Sequence, residues 1–233
     1  YASGESGDSG CNCSRRAVHR SPERLTVMEP FRLHTGVVAP LDQADIDTDQ
    51  IIPKQFLKSV SREGYGDFLF HDWRTEEGGA INPEFILNRE PYKGASILLT
   101  GRNFGCGSSR EHAAWALRDF GFRAVLAPSF ADIFRENADQ NGLAAISLEE
   151  SIVRELLARA HREAPLRLTV DLEQCTVAES DTLVASFEID AFRKMCLLEG
   201  LDRIGLTLRQ AEAISLFEQQ RWPNRSEAAT ESL

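Results

Sequence analysis

Residues 97–117 read Ile97-Leu98-Leu99-Thr100-Gly101-Arg102-Asn103-Phe104-Gly105-Cys106-Gly107-Ser108-Ser109-Arg110-Glu111-His112-Ala113-Ala114-Trp115-Ala116-Leu117. A short apolar run that suits a buried strand leads into a loop with three glycines and two serines. A segment with helical character follows and stops at Phe120, before Gly121. A strand-to-helix turn of this kind aims backbone N–H groups and the positive end of the helix dipole at one spot, where an anion is stabilised. Ser108 and Arg110 stand at that spot. A serine there can be held as an alkoxide, and an arginine can clamp a carboxylate. The same spacing has a plainer reading. Ser108-x-x-Glu111 is a capping box, with Ser108 satisfying an orphan helix N–H and Glu111 reaching back, a contribution of about 1 kcal/mol. Spacing alone leaves both readings open.

Three common templates drop out. A dinucleotide fingerprint needs glycine at Arg110, and a Walker loop needs lysine before its hydroxyl residue. A nucleophile elbow needs glycine at Glu111.

Outward from the loop, apolar patterning predicts an extended segment over 32–41 and a short helix opened by Pro53 and running through Leu57. Helices are expected over 109–120 and from Pro128-Ser129 to Asn141-Gly142, with strands at 125–127 and 144–146. Alternating strands and helices imply an α/β fold with a parallel βαβ core and right-handed crossovers. Beyond a helix at 149–161 the pattern changes to half-exposed strands at 166–172 and 183–189, with 175–177 between them. Helices at 191–198 and 208–220 close the chain.

The chain has 233 residues, 42% hydrophobic and 27% charged, ordinary values for one sizeable globular core. A net charge of −10 and the lack of any basic stripe argue against a nucleic-acid partner. No apolar run approaches the ~20 residues of a membrane span. Residues 1–27 carry four arginines against three acids, are rich in Gly and Ser at their start, and lack an apolar core for a secretory signal. They read as a disordered extension that is added or mis-assigned. Residues 28–223 read as one domain, and residues 224–233 as a polar tail that frays.

The five cysteines are Cys11, Cys13, Cys106, Cys175 and Cys196. None forms the C-x-x-C pairs of a zinc or iron–sulfur site. Asp45, Asp47 and Asp49 are crowded carboxylates, but the glycine and distal glutamate of a calcium loop are absent.

The stretch Asn103 to His112 resembles the signature of the aconitase swivel-domain family, and with Cys106 before the second glycine it looks like the small subunits of 3-isopropylmalate dehydratase, also called isopropylmalate isomerase. Asp45 to Lys54 (DIDTDQIIPK) and Ser129 to Asn137 (SFADIFREN) match two further motifs of that family. Phe68 to Arg74 (FLFHDWR) resembles its longer, bacterial form. The resemblance runs from about Met28, where family members naturally start, to Trp222. It implies a swivelling β/β/α domain and a cytoplasmic hydro-lyase of leucine biosynthesis. That reaction isomerises 2-isopropylmalate to 3-isopropylmalate by dehydration to isopropylmaleate and rehydration.

Further expectations come from the same resemblance. The family's chemistry uses a [4Fe–4S] cluster whose open iron is a Lewis acid. This chain has no evident ligand set, so the cluster is expected on a large partner subunit, in a heterodimer that binds a small dicarboxylic acid. Ser108 is the expected base and Arg110 the expected carboxylate clamp. Asp47 and Thr48 are expected to line the site, with Cys106, Gly107 and Ser109 positioning the substrate. Phe56, Leu57, Lys58 and Ser59 align with the substrate-selecting loop. Apolar groups there suit an isopropyl substituent, whereas Lys58 keeps a more polar acid open. His112 is read as a structural hydrogen-bonding residue, although its spacing also lets it face Ser108. Two rivals stand beside this reading: a related hydro-lyase acting on homoaconitate, methylmalate or citraconate, and a non-catalytic anion-binding module.

Overall fold

The computed structural model describes residues 28–57, 64–162 and 165–221. The expectations for residues 1–27, for Lys58 and Ser59, and for residues 224–233 lie outside the described residues. The chain runs through β1 (Leu33–Leu41), α1 (Thr48–Ile51), α2 (His71–Arg74), β2 (Ile97–Thr100), α3 (Glu111–Phe120), β3 (Ala124–Ala127), α4 (Asp132–Gln140), β4 (Ala144–Ser147) and α5 (Glu150–Arg162). It ends with β5 (Arg167–Asp171), β6 (Thr176–Glu179), β7 (Thr182–Ser186), α6 (Ala191–Glu199), α7 (Arg203–Leu208) and α8 (Ala211–Arg221).

Among the described residues the strands form one sheet in the order β4-β3-β2-β1-β5-β6-β7. The first four are parallel and the last three antiparallel. The long strand β1 joins the two halves. Its residues Val38–Leu41 pair in parallel with β2, while Leu33–Val37 pair antiparallel with β5. The α/β expectation therefore holds, with a mixed sheet.

Alternation along the strands sorts the core into two faces. Ala39, Leu98, Val125 and Ala145 face one side, where they meet Ala113, Ala116 and Leu117 of α3 and Phe134 and Ala138 of α4. Val38, Ile97, Leu99, Leu126 and Ile146 face the other, against Val153, Leu156, Leu157 and Ala160 of α5. The crossovers β2-α3-β3 and β3-α4-β4 step in one direction along the sheet and place both helices on the same face, as units of one common hand do. From the far edge, α5 then returns across the opposite face to deliver β5 beside β1.

Some boundaries move. Helix α3 begins at Glu111, two residues later than expected, and α4 at Asp132 instead of Pro128. The cause at α4 is tertiary. The Ser129 carbonyl accepts from Phe104 N–H at 3.1 Å and Ala131 N–H donates to the Phe104 carbonyl at 3.0 Å, so this stretch serves the neighbouring loop before it can coil. The helix expected over 208–220 is α8, which starts three residues later at Ala211, and the short helix α7 that precedes it was not foreseen. Helix α2 and the 3₁₀ turns at Gly66–Phe68, Ile86–Asn88 and Glu90–Tyr92 were not foreseen. No described helix is long and apolar enough to cross a membrane.

Candidate active site

Three loops leave the carboxyl ends of the parallel strands β1, β2 and β3 and meet just beyond those ends, the position where open α/β sheets build their sites. They carry the three sequence motifs, so residues far apart along the chain become neighbours.

Backbone hydrogen bonds stitch the first two loops together. Asp45 N–H donates to the Arg102 carbonyl at 2.9 Å, Gly105 N–H to Ile46 at 2.8 Å, and Thr48 N–H to Cys106 at 2.9 Å. The buried Thr48 hydroxyl donates to the Ser108 carbonyl at 2.9 Å. Asp45 and Asn103 both adopt left-handed backbone, at φ 57° and 56°, a conformation these two residue types tolerate. Their side chains bond each other, Asn103 Nδ2 to Asp45 Oδ1 at 2.9 Å. The third loop supports the second from behind. Ser129 Oγ accepts from Asn103 N–H at 2.9 Å, and the Phe104 ring lies edge-on to Phe134 at 5.0 Å. Gly105, at φ 76°, sits so close to Phe134 that a Cβ would overlap its ring.

This bracing presents Gly107, Ser108 and Ser109 to solvent. The capping-box reading of Ser108 fails on geometry. The N-cap of α3 is Arg110, with no side-chain cap hydrogen bond. Glu111, expected to reach back, instead accepts from Asn141 Nδ2 at 3.0 Å. The first-turn N–H groups are thus not taken up by a Ser108 cap, and the positive end of the helix lies beside that serine.

Arg110 is largely buried, its side chain 11% exposed, and it pairs with Asp49. Lys54 approaches the other Asp49 oxygen at 3.5 Å. The Arg110 hydrogen bond holds the Asp49 carboxyl below the usual carboxylate range. In this chain alone, the carboxylate that Arg110 holds is that of Asp49. In the sequence Asp49 stands out only as one of three crowded carboxylates, and its spacing from Arg110 carries no periodic signal.

Asp47 caps α1. Its Oδ1 accepts from Gln50 N–H at 2.8 Å, and the Gln50 side chain accepts from Asp47 N–H at 2.9 Å. A capping box does exist here, at Asp47. The Cys106 thiol donates to the Asp45 carbonyl at 3.3 Å, and burial, then Asp47 and Asp45, push it up. A thiol shifted in that direction is not an activated nucleophile. His112 packs edge-on to Tyr65 at 5.3 Å and against Trp115 at 4.6 Å. Burial lowers its imidazole pKa, so its visible role is aromatic packing. Phe56 stacks on Phe68 at 4.1 Å and lies 4.7 Å from His71, and Leu57 packs against the same core. In the sequence Phe68 and His71 belong to a family motif, with nothing to mark them as the support for Phe56.

Among the described residues no group of three His, Cys, Asp or Glu side chains converges to hold a metal ion. Cys106, Cys175 and Cys196 lie on the serine loop, the β5–β6 turn and α6, as free thiols. These residues do not fit an iron–sulfur cluster.

A braced, glycine-rich serine loop at the carboxyl end of a parallel strand, on a mixed sheet, defines an aconitase-type swivel domain. The family model of the aconitase C-terminal domain matches residues 28–151. A model labelled LeuD_N matches residues 154–191, and the model for the C-terminal domain of the 3-isopropylmalate dehydratase small subunit matches 204–224. The 3-isopropylmalate dehydratase small subunit of Koribacter versatilis is 56% identical over 191 residues, covering 82% of this chain and 98% of that protein. The corresponding subunit of Brevibacillus brevis is 53% identical over 194 residues, covering 83% and 100%. A crystal structure of 3-isopropylmalate dehydratase from Methanocaldococcus jannaschii superposes with a TM-score of 0.58 at 25% identity, covering 79% of this chain and 98% of that one. The chain belongs to the aconitase C-terminal-domain family and, within it, to the 3-isopropylmalate dehydratase small subunits.

Proposed function

We propose that this chain is the small subunit of a hydro-lyase that interconverts 2-isopropylmalate and 3-isopropylmalate in leucine biosynthesis, working in the cytoplasm as a heterodimer with a large subunit. The observation that carries the reading is the placement of Ser108: exposed, not a cap, and at the positive end of α3 beside Arg110. In this reading residues 28–223 form the functional domain.

Ser108 is the base. A free serine hydroxyl is far too weak an acid to ionise at neutral pH, so its alkoxide needs the α3 N-terminus, loop N–H groups and the Arg110 charge. Single preorganised donors of this type contribute roughly 10²–10³ in rate. The alkoxide takes the carbon-bound proton as the C–O bond to the departing hydroxyl breaks and the C=C bond of isopropylmaleate forms. Hydroxide then adds in the opposite sense as Ser108 returns its proton to carbon, which regenerates the alkoxide and leaves no net proton gained or lost. Arg110 clamps a substrate carboxylate, and Asp47, Thr48, Cys106, Gly107 and Ser109 shape the surroundings. Phe56 and Leu57, with Lys58 and Ser59, select the isopropyl group. The described residues offer no cradle for a [4Fe–4S] cluster, so the Lewis-acid group is assigned to the large subunit. This chain supplies the proton-moving and binding half of the site.

The test is anaerobic co-purification with the large subunit and an assay on 2-isopropylmalate, with methylmalate, citraconate and homoaconitate as competitors. The expected result is activity only in the complex, with the highest kcat/KM on 2-isopropylmalate. A complex that prefers a competitor would replace the substrate assignment, and one inactive on all four would leave an anion-binding module.

A further inference from the structure

A cavity of about 440 Å³ lies between α4, α6 and α7, and none of its lining residues belongs to the serine loop or to the loop after β1. Its volume is within the range of roughly 300–1,000 Å³ typical of small-molecule sites. Phe192, Leu201 and Leu206 give it apolar walls.

The charges around it are unequally satisfied. Arg193 forks onto Asp139, with Nε–Oδ2 at 2.5 Å and Nη2–Oδ1 at 3.1 Å. Arg203 pairs with Glu136. Asp202 caps α7 by accepting from Gly205 N–H at 2.6 Å. Arg135 and Asp132 remain, one turn apart on α4 and both lining the cavity, neither in an ion pair among the described residues. The Arg135 guanidinium lies 5.8 Å from the Phe130 ring centroid, yet its Nε is buried without a hydrogen-bond acceptor. Folded proteins rarely leave such a donor unsatisfied, and no ion pair neutralises the rest of this guanidinium among the described residues.

The lining residues include three arginines and four acids. That balance disfavours a dicarboxylate such as the substrate, and it leaves one cation and one carboxylate open. We infer that this cavity binds an apolar α-amino acid, its carboxylate on Arg135, its ammonium toward Asp132 and its side chain against Phe192, Leu201 and Leu206. Such a site is independent of the role of Ser108.

The test is calorimetric titration of the full chain with L-leucine and L-phenylalanine. Controls are 4-methylpentanoate, which lacks the ammonium group, and 3-methylbutylamine, which lacks the carboxylate. Saturable one-to-one binding of at least one amino acid is expected, weakened about tenfold or more in either truncated analogue, the scale of one lost polar contact. Arg135→Gln should abolish binding and Asp132→Asn weaken it, in variants shown to be folded by circular dichroism. Should Arg135→Gln not fold, Leu206→Trp fills the cavity while keeping Arg135 and should give the same loss. Absence of binding at roughly 10 mM, or binding unchanged in these variants, overturns the site. Binding of 4-methylpentanoate as tight as that of L-leucine overturns the amino-acid assignment.

Discussion

The guanidinium of Arg110 and the carboxylate of Asp49, 61 residues apart in sequence, form a hydrogen-bonded ion pair that joins the serine loop to α1. The contact is made through Nη1 of the guanidinium and Oδ1 of the carboxylate. Arg110 is also the N-cap residue of α3, so the pair holds a guanidinium with further donors for a planar carboxylate at the start of that helix.

Asp49→Asn should therefore act on catalysis more than on stability. Asp49 is 40% exposed, so screening keeps the pair's stability contribution within about 1 kcal/mol. A fall in kcat/KM of about tenfold is expected, the scale of one charge-assisted hydrogen bond. Arg110→Lys should do more damage, because it keeps charge and loses the fork. Steady-state kinetics on the two single variants and the double variant checks this. Effects that simply multiply would mean that Asp49 does not act through Arg110.

Ser108→Ala should separate chemistry from folding. Since Ser108 is exposed and does not cap α3, the loss of stability should stay within about 0.5 kcal/mol. The fall in kcat should be about 10²–10⁴-fold or more, as for loss of a general base. Ser109→Ala is the control and should be milder. Urea titration and single-turnover kinetics on the assembled enzyme measure the two effects. Near-wild-type turnover by Ser108→Ala would falsify the base assignment.

Thr48→Val keeps the buried shape and removes the donor to the Ser108 carbonyl. A loss of about 1 kcal/mol is expected from the missing hydrogen bond. A lower kcat should accompany it, because Ser108 then loses its tether to α1. Thermal melting and kcat report the two effects separately. A stability loss with unchanged kcat would mean that this bond serves folding only.

Acid should weaken the chain near neutrality through two histidines. The His34 pKa is lowered by burial and then by Arg123, and that of His112 by burial. Both bind protons less readily folded than unfolded, so below the ordinary value of 6.5 the unfolded state carries more protons. Their contribution is fully present above that value and is lost as pH falls from there through the folded values. Burial raises Asp139, which works in the opposite sense, at pH above its ordinary range. Melting curves from about pH 7.5 to about 5.5 on the wild-type and a His34→Asn/His112→Asn variant isolate the histidines. Parallel curves would show that these groups do not carry the effect.

The order of strands and helices was readable because each βα unit announces itself locally. Runs such as Ile97–Thr100 and Ala124–Ala127 are apolar almost throughout because both faces of the sheet are covered, and Gly121 and Asn141-Gly142 stop the helices where expected. The glycine-rich loop with its serine and arginine was also legible as residue types with a shared chemistry, and the two supporting motifs through their resemblance to the family. Spacing could not choose between Ser108 as cap and Ser108 as base. That depends on where Glu111 points, and Glu111 is drawn to Asn141, 30 residues on, by the packing of α3 on α4. Nor could it pair Arg110 with Asp49, or set Phe56 on Phe68, since those contacts exist only after the long connection from β1 to β2 has closed. Local periodicity encodes which element a residue joins and which face it presents. The partner across a crossover is decided by sheet order and handedness, and these belong to the folded chain as a whole.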